Sequence, residues 1–382
     1  MTANKKEINL KTNNIIYVIE AFFLTGIAVF LSVISGMLIT DITGFVCIIA
    51  ASALIACVFF LTSPSVIVIA GIASFAITFT LNENLLNAFA SMAYVIIGAF
   101  IYFGVKNKRN RTQITVRIAI VITVFYFLLI AASFMMETGT FYDGMMALTS
   151  QIDQVLHNNV ESVVKQYTTL MLAQSSGAGT TAEEAAQAAY FVETYITELV
   201  MNFKAILPAC FILYNVLIAY LSTSIFKSAY NIFIPMANPK RNKIKNTYWR
   251  IKISVVSSII MTCALFFAIL ASKGDTVLPY IVLMNLIYIL APGFCVMGVY
   301  FVYDKLFKSR TGIIPAVLVI SLIMLAFISP TIVIFVVYSG ASVLMAVGLY
   351  SALIGDLKKF FEKAKKALLG DGSDDDDDDY ID

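Results

Sequence analysis

The chain has 382 residues, 60% of them hydrophobic and 13% charged, with mean hydropathy +0.87, and so carries more apolar surface than a water-soluble domain can bury. A net charge of only +2 offers no case for nucleic acid as a partner. The five cysteines (Cys47, Cys57, Cys210, Cys263 and Cys295) show no C-x-x-C spacing, which argues against a disulfide framework or a zinc site, and no cofactor is expected.

In chain order, apolar runs near the length that crosses a ~30 Å hydrocarbon layer predict ten transmembrane spans. A basic N-terminus (Lys5, Lys6, Lys11) precedes span one, about 15–38. Spans two and three, about 44–62 and 66–81, form a hairpin turned at Thr62-Ser63-Pro64-Ser65. Span four, about 86–105, ends at a basic loop with Lys106, Lys108, Arg109 and Arg111, and span five follows at about 113–135. Span six, about 205–226, returns to the richest basic loop, which includes Lys240, Arg241, Lys243, Lys245, Arg250 and Lys252. Spans seven and eight are expected at about 253–271 and 277–302. The run 312–355 is too long for one crossing and is read as spans nine and ten, folded back near Ser329-Pro330.

Basic residues in the connections stay on the cytoplasmic side of a membrane. Threading the ten spans under that rule leaves only Lys165, Lys204 and Lys273 outside and puts both termini in the cytoplasm. The expected fold class is therefore all-α, a polytopic transmembrane helix bundle in a plasma membrane, with the lipid bilayer as its first partner. The first apolar run is longer than a signal-peptide core and lacks a small-residue cleavage site, so it reads as a retained anchor.

Five parts follow: an N-terminal five-span part, 1–136; an extracytoplasmic insert, 137–203; a C-terminal five-span part, 204–355; a cytoplasmic amphipathic helix, 356–369; and an acidic tail, 370–382. Within the insert, Ile152, Val155, Leu156, Val163, Tyr167, Leu170 and Met171 recur at helical spacing, and a break follows at Ser175-Ser176-Gly177-Ala178-Gly179. Thr181 and Glu184 match a capping box, and the second apolar stripe, from Ala185 to Phe203, leads towards Pro208 and span six. This pattern predicts an antiparallel helical hairpin, either a lid over an outward-facing cavity or a pair resting on the outer membrane surface. In the helix after Asp356, Leu357, Phe360, Phe361, Ala364 and Leu368 line the side opposite five lysines, as in an interfacial helix. Asp374 to Asp379 have nothing apolar to bury and are read as a disordered tail.

Catalytic chemistry is scarce. H-E-x-x-H, G-x-S-x-G and G-x-x-x-x-G-K-[ST] are all missing, and His157 is the only histidine, so the chain does not read as an enzyme. Polar residues inside the spans are the remaining candidates for a ligand site, because a carboxylate in hydrocarbon costs about 3 kcal/mol or more unless paired or hydrated. Glu20 in span one is the clearest, with Arg117 at the start of span five as a candidate partner. Asn215 in span six and Asn285 in span eight are placed to bond to neighbouring helices or to a ligand. Ala21 and Thr25 put small residues four apart on span one, a spacing that suits close helix packing or partner docking.

Val18-Ile19-Glu20-Ala21, the long amphipathic insert, Ile206-Leu207-Pro208, the run Val282 to Leu290 and Gly355-Asp356-Leu357-Lys358-Lys359 occur in an order that resembles the YybS-like family of bacterial multi-pass membrane proteins. That family's biochemical function is undefined. Its N-terminal part is distantly similar to substrate-binding subunits of energy-coupling-factor vitamin transporters and to the rod-shape protein MreD. The resemblance implies a small-molecule binding or transport-like subunit without its own ATPase, working with other membrane subunits. The competing expectation is a non-transporting scaffold or regulator of cell-envelope assembly. In the transporter subunits an A-x-x-x-A motif docks the coupling protein; here Ala21 fits and Thr25 departs from it.

Overall fold

The computed structural model describes residues 2–38, 41–62, 64–155, 158, 165, 182–237, 244, 253–271, 277–303 and 339–354. Among them every regular element is a helix. Ile, Val and Phe are indifferent helix formers in water, but hydrocarbon offers the backbone no other hydrogen-bond partners, so an apolar run that crosses it must coil. The elements are α1 (Thr2–Met37), α2 (Ile42–Leu61), α3 (Pro64–Asn82), α4 (Leu85–Ser91), α5 (Ala93–Lys106), α6 (Arg111–Thr138), α7 (141–155), α8 (Ala182–Ala237), α9 (Val255–Ala271), α10 (Val277–Val302) and α11 (Ser339–Ile354).

Among the described residues, seven helical segments are long and apolar enough to cross a membrane: Val18–Met37, Ile42–Leu61, Ser65–Asn82, Leu85–Lys106, Arg111–Thr138, Lys204–Phe233 and Leu278–Val302. The chain is a multi-pass membrane protein. These segments match expected spans one to six and eight. Expected span seven corresponds to Val256–Ala271, and part of the last expected run to Ser339–Ile354; both are shorter apolar helices. The fold-back at Ser329-Pro330, the capping box at Thr181, the break at 175–179, the helix after Asp356 and the acidic tail lie outside the described residues.

The chain divides into two compact units, Met1–Ile122 with Ile212–Asp382, and Thr123–Phe211. Both divisions fall inside a helix, α6 and α8, whereas the domain reading from sequence places its boundaries at 136 and 204.

In the first unit α2 is the enclosed element. Ile55, Ala56, Cys57 and Val58 are all fully buried, and four successive side chains point about 100° apart, so α2 is covered on every side at that level. Gly98 of α5 allows a close approach: a Cβ there would run into Ile55 and Ala56. Helix directions alternate as in a bundle threaded back and forth. Ser32 meets Ser74 and Gly36 meets Thr78, so α1 and α3 are parallel. Phe45 contacts Tyr214 and Phe60 contacts Phe226 and Tyr230, so α2 runs parallel to that part of α8. Tyr102 packs on Phe59 and Phe60, which brings the basic end of α5 to the same level. A second cluster joins α9, α10 and α11 through Met261, Ala264, Phe294 and Ala352.

In the second unit α6 ends at Gly139, whose φ of +84° suits glycine, and Thr140 with Asp143 caps α7. Phe141 packs against Phe127 and Phe134, and Lys204 of α8 forms an ion pair with Asp153 of α7.

Candidate functional site

Among the described residues of the first unit, the charged group most deeply set is Arg111, 5% exposed. Its position follows from the turn before it. The α5–α6 connection is tight, with Lys108 N–H donating to Val105 O and Arg109 N–H to Gly104 O, while a Cβ at Gly104 would run into Ile114. Asn110 then caps α6 by accepting from Gln113 N–H at 2.9 Å. Together these rotate the first residue of α6 into the bundle.

There the guanidinium meets three residues of α8 that share one face by their spacing, Tyr220, Thr223 and Ser224. Nε donates to Thr223 Oγ1 at 3.3 Å, and Nη2 donates to Tyr220 O at 3.1 Å and to Ser224 Oγ. The group also lies 4.4 Å from the centre of the Tyr220 ring. Thr115, one turn along α6, extends the contact at 3.3 Å from Thr223 Oγ1. A planar, five-donor cation thus ties α6 to α8 through neutral acceptors and a ring face, an arrangement lysine cannot reproduce. Lys106, 5.6 Å from the Tyr102 ring centre, and Lys227 lie at the same end.

Deeper in the unit, three fully buried hydroxyls form a chain. Ser32 Oγ lies 2.8 Å from Ser74 Oγ, which lies 2.9 Å from Tyr94 Oη. Ser32 Oγ also lies 2.7 Å from Val29 O and Ser74 Oγ 2.9 Å from Ala70 O, so each hydroxyl's single proton has a choice between its own helix and the next member of the chain. The chain joins α1, α3 and α5 where no water competes. Tyr94→Phe is expected to destabilise the protein by about 1 kcal/mol, and Ser74→Val by more, because it leaves both neighbours short of a partner. Unfolding in mixed detergent micelles measures both; a Ser74→Val protein as stable as the parent would show that the chain contributes nothing.

Glu20 is half-buried on α1. Its Oε2 has no accessible surface and no hydrogen-bond partner among the described residues. The offset that pairs Ser32 with Ser74 carries Glu20 to the level of Thr62, at the α2–α3 connection. Arg117, its expected partner, is exposed on α6, and no ion pair joins the two among the described residues. Asn215 is fully buried on α8, while Asn285 is half-buried on α10 and donates from Nδ2 to Ile281 O of its own helix at 2.9 Å. No described hydrogen bond joins Glu20 to either asparagine. Ala21 is 1% exposed, and Thr25 Oγ1 donates to Ala21 O at 2.6 Å, so this pair belongs to the packed face of α1 with Leu24 and Ala28.

The sequence patterns place Arg111 in a loop and single out none of Ser74, Tyr94, Thr115, Tyr220, Thr223 or Ser224. A usable signal was present: Ser222-Thr223-Ser224 interrupts an apolar run at the same distance from the basic end as Arg111 and Thr112. Comparison of the chain with protein-family models, with curated proteins and with solved structures finds no match.

Proposed function

We propose that this is a small-molecule binding or transport-like membrane subunit without its own ATPase, of the kind the YybS-like resemblance implies. The observation that carries this reading is the Glu20 carboxylate. An oxygen cut off from solvent and without a donor among the described residues costs free energy that a bound group can recover. The complementary ligand is one that offers a hydrogen-bond donor such as an ammonium, amide or hydroxyl. Asn215, buried on α8, and the hydroxyl chain, which starts from α1 as Glu20 does, are further polar groups within the first unit.

The proposal includes a bacterial plasma membrane, ten crossings, both termini in the cytoplasm and an extracytoplasmic hairpin over 137–203. The gathering of Lys106, Lys108, Arg109, Arg111 and Lys227 at one end of the first unit supports this orientation. The Lys204–Asp153 ion pair supports the hairpin.

Native mass spectrometry of the purified protein tests the reading by detecting co-purifying small molecules and subunits together. Retention of a small molecule that falls several-fold in Glu20→Gln but not in Glu83→Gln, an exposed carboxylate, is the expected result. Equal retention by both variants would remove Glu20 from the site.

One observation favours the scaffold reading. Helix α8 has 56 residues, about 84 Å at the usual rise, so more than half of it lies beyond a single ~30 Å layer. A spectrum with protein subunits and no small molecule would favour that alternative.

A further inference from the structure

In the second unit, the start of α7 presents an exposed apolar surface. Tyr142 is 69% exposed, Met146 56% and Met145 41%. At 100° per residue these three lie within one arc, and Gln151, nine residues after Tyr142, lies on the opposite side and is also exposed. The surface continues onto α6, where Met135 and Met136 are 60% and 67% exposed.

The elbow between the two helices is built to hold this arrangement. Gly139 adopts the left-handed conformation that turns the chain. Thr140 Oγ1 donates to Asp143 Oδ2 at 2.6 Å and accepts from Asp143 N–H at 3.1 Å, which closes the first turn of α7. A Cβ at Gly144 would run into the Phe134 ring, so α7 sits directly on α6, and Phe141 fills the space beside Phe127 and Phe134.

We infer that the α6–α7 elbow is seated in the lipid interface opposite the basic end of α6, with Tyr142, Met145 and Met146 dipped among the acyl chains and Gln151 facing water. Three facts select lipid as the occupant. First, α6 has 28 residues, about 42 Å, so its last turns reach interfacial depth in a ~30 Å layer. Second, the exposed face of α7 prolongs the exposed apolar surface of that spanning helix, and tyrosine with methionine suits a boundary that is apolar below and wet above. Third, no lysine or arginine occurs between Arg117 and Lys165, whereas Glu137 and Asp143 flank the elbow. The partner is therefore a zwitterionic lipid surface held by apolar burial, with no attraction to anionic headgroups.

The full-length protein in phosphatidylcholine nanodiscs tests this. Trp249 is the only tryptophan, so Trp249→Phe gives a silent background for two reporters, Tyr142→Trp and Gln151→Trp. Bromine placed high on the acyl chains should cut Tyr142→Trp emission about twofold and bromine deep in the chains less, with aqueous acrylamide quenching it weakly. Gln151→Trp should show the reverse, and admixed anionic lipid should leave both unchanged. Acrylamide quenching of Tyr142→Trp without bromolipid quenching would place the face in water. Protection from both quenchers would place it against protein, such as a second copy. Either result overturns the proposal.

Discussion

Arg111→Ala is expected to destabilise the protein by about 3 kcal/mol, measured by unfolding in mixed detergent micelles. The loss combines two effects. Charged hydrogen bonds to Thr223, Ser224 and Tyr220 O disappear together with the stack on the Tyr220 ring, and the acceptors on α8 are left facing a void in a region water does not reach. Arg111→Lys should recover less than half of this, because an ammonium cannot address three acceptors spread over one helical turn and lie flat on a ring as well. Arg117→Ala should change stability by less than about 0.5 kcal/mol, since that side chain is exposed. If Arg117→Ala proved the more damaging, the fastening of α6 to α8 would have to be reassigned.

The second large effect is expected at the α10–α11 crossing. A Cβ at Gly348 would meet Phe294 O and the backbone nitrogen of Gly298, and one at Gly298 would meet Leu344 O. These are main-chain atoms that no rotamer change can move aside, so Gly348→Ala must push two helices apart and open the packing around Phe294 and Ala352. The expected cost is about 3 kcal/mol. Gly26→Ala is the internal comparison: nothing lies within 4 Å of its Cβ position, and alanine is the better helix former, so it should be neutral or slightly stabilising. The measurement is the same unfolding experiment, and similar behaviour of the two variants would mean that α10 and α11 do not cross through these glycines.

The glycine contacts show where sequence reading stops. Gly298 and Gly348 are 50 residues apart in the chain and share no motif; only the crossing makes them partners. Their neighbour Cys295 is similar: Sγ donates to Ala341 O at 3.4 Å, an acceptor no spacing could name. Single apolar elements were legible to within a few residues. The structure refined span four, which turns at Met92 after a start capped by Asn84, and joined the second helix of the insert to span six in one helix, α8.

What the sequence by itself determined is the set of apolar runs, their membrane-crossing length and the crowding of cations at their ends, because hydropathy and charge are sums over local residues that need no partner. Only the tertiary structure decided which face of each helix turns inward. A span apolar all round carries no stripe to orient it, so composition cannot distinguish Arg111 from Arg117. Six residues rotate one about 240° from the other, and the close packing of Gly104 on Ile114 together with the hydroxyls of α8 selects Arg111 for the interior and leaves Arg117 outside.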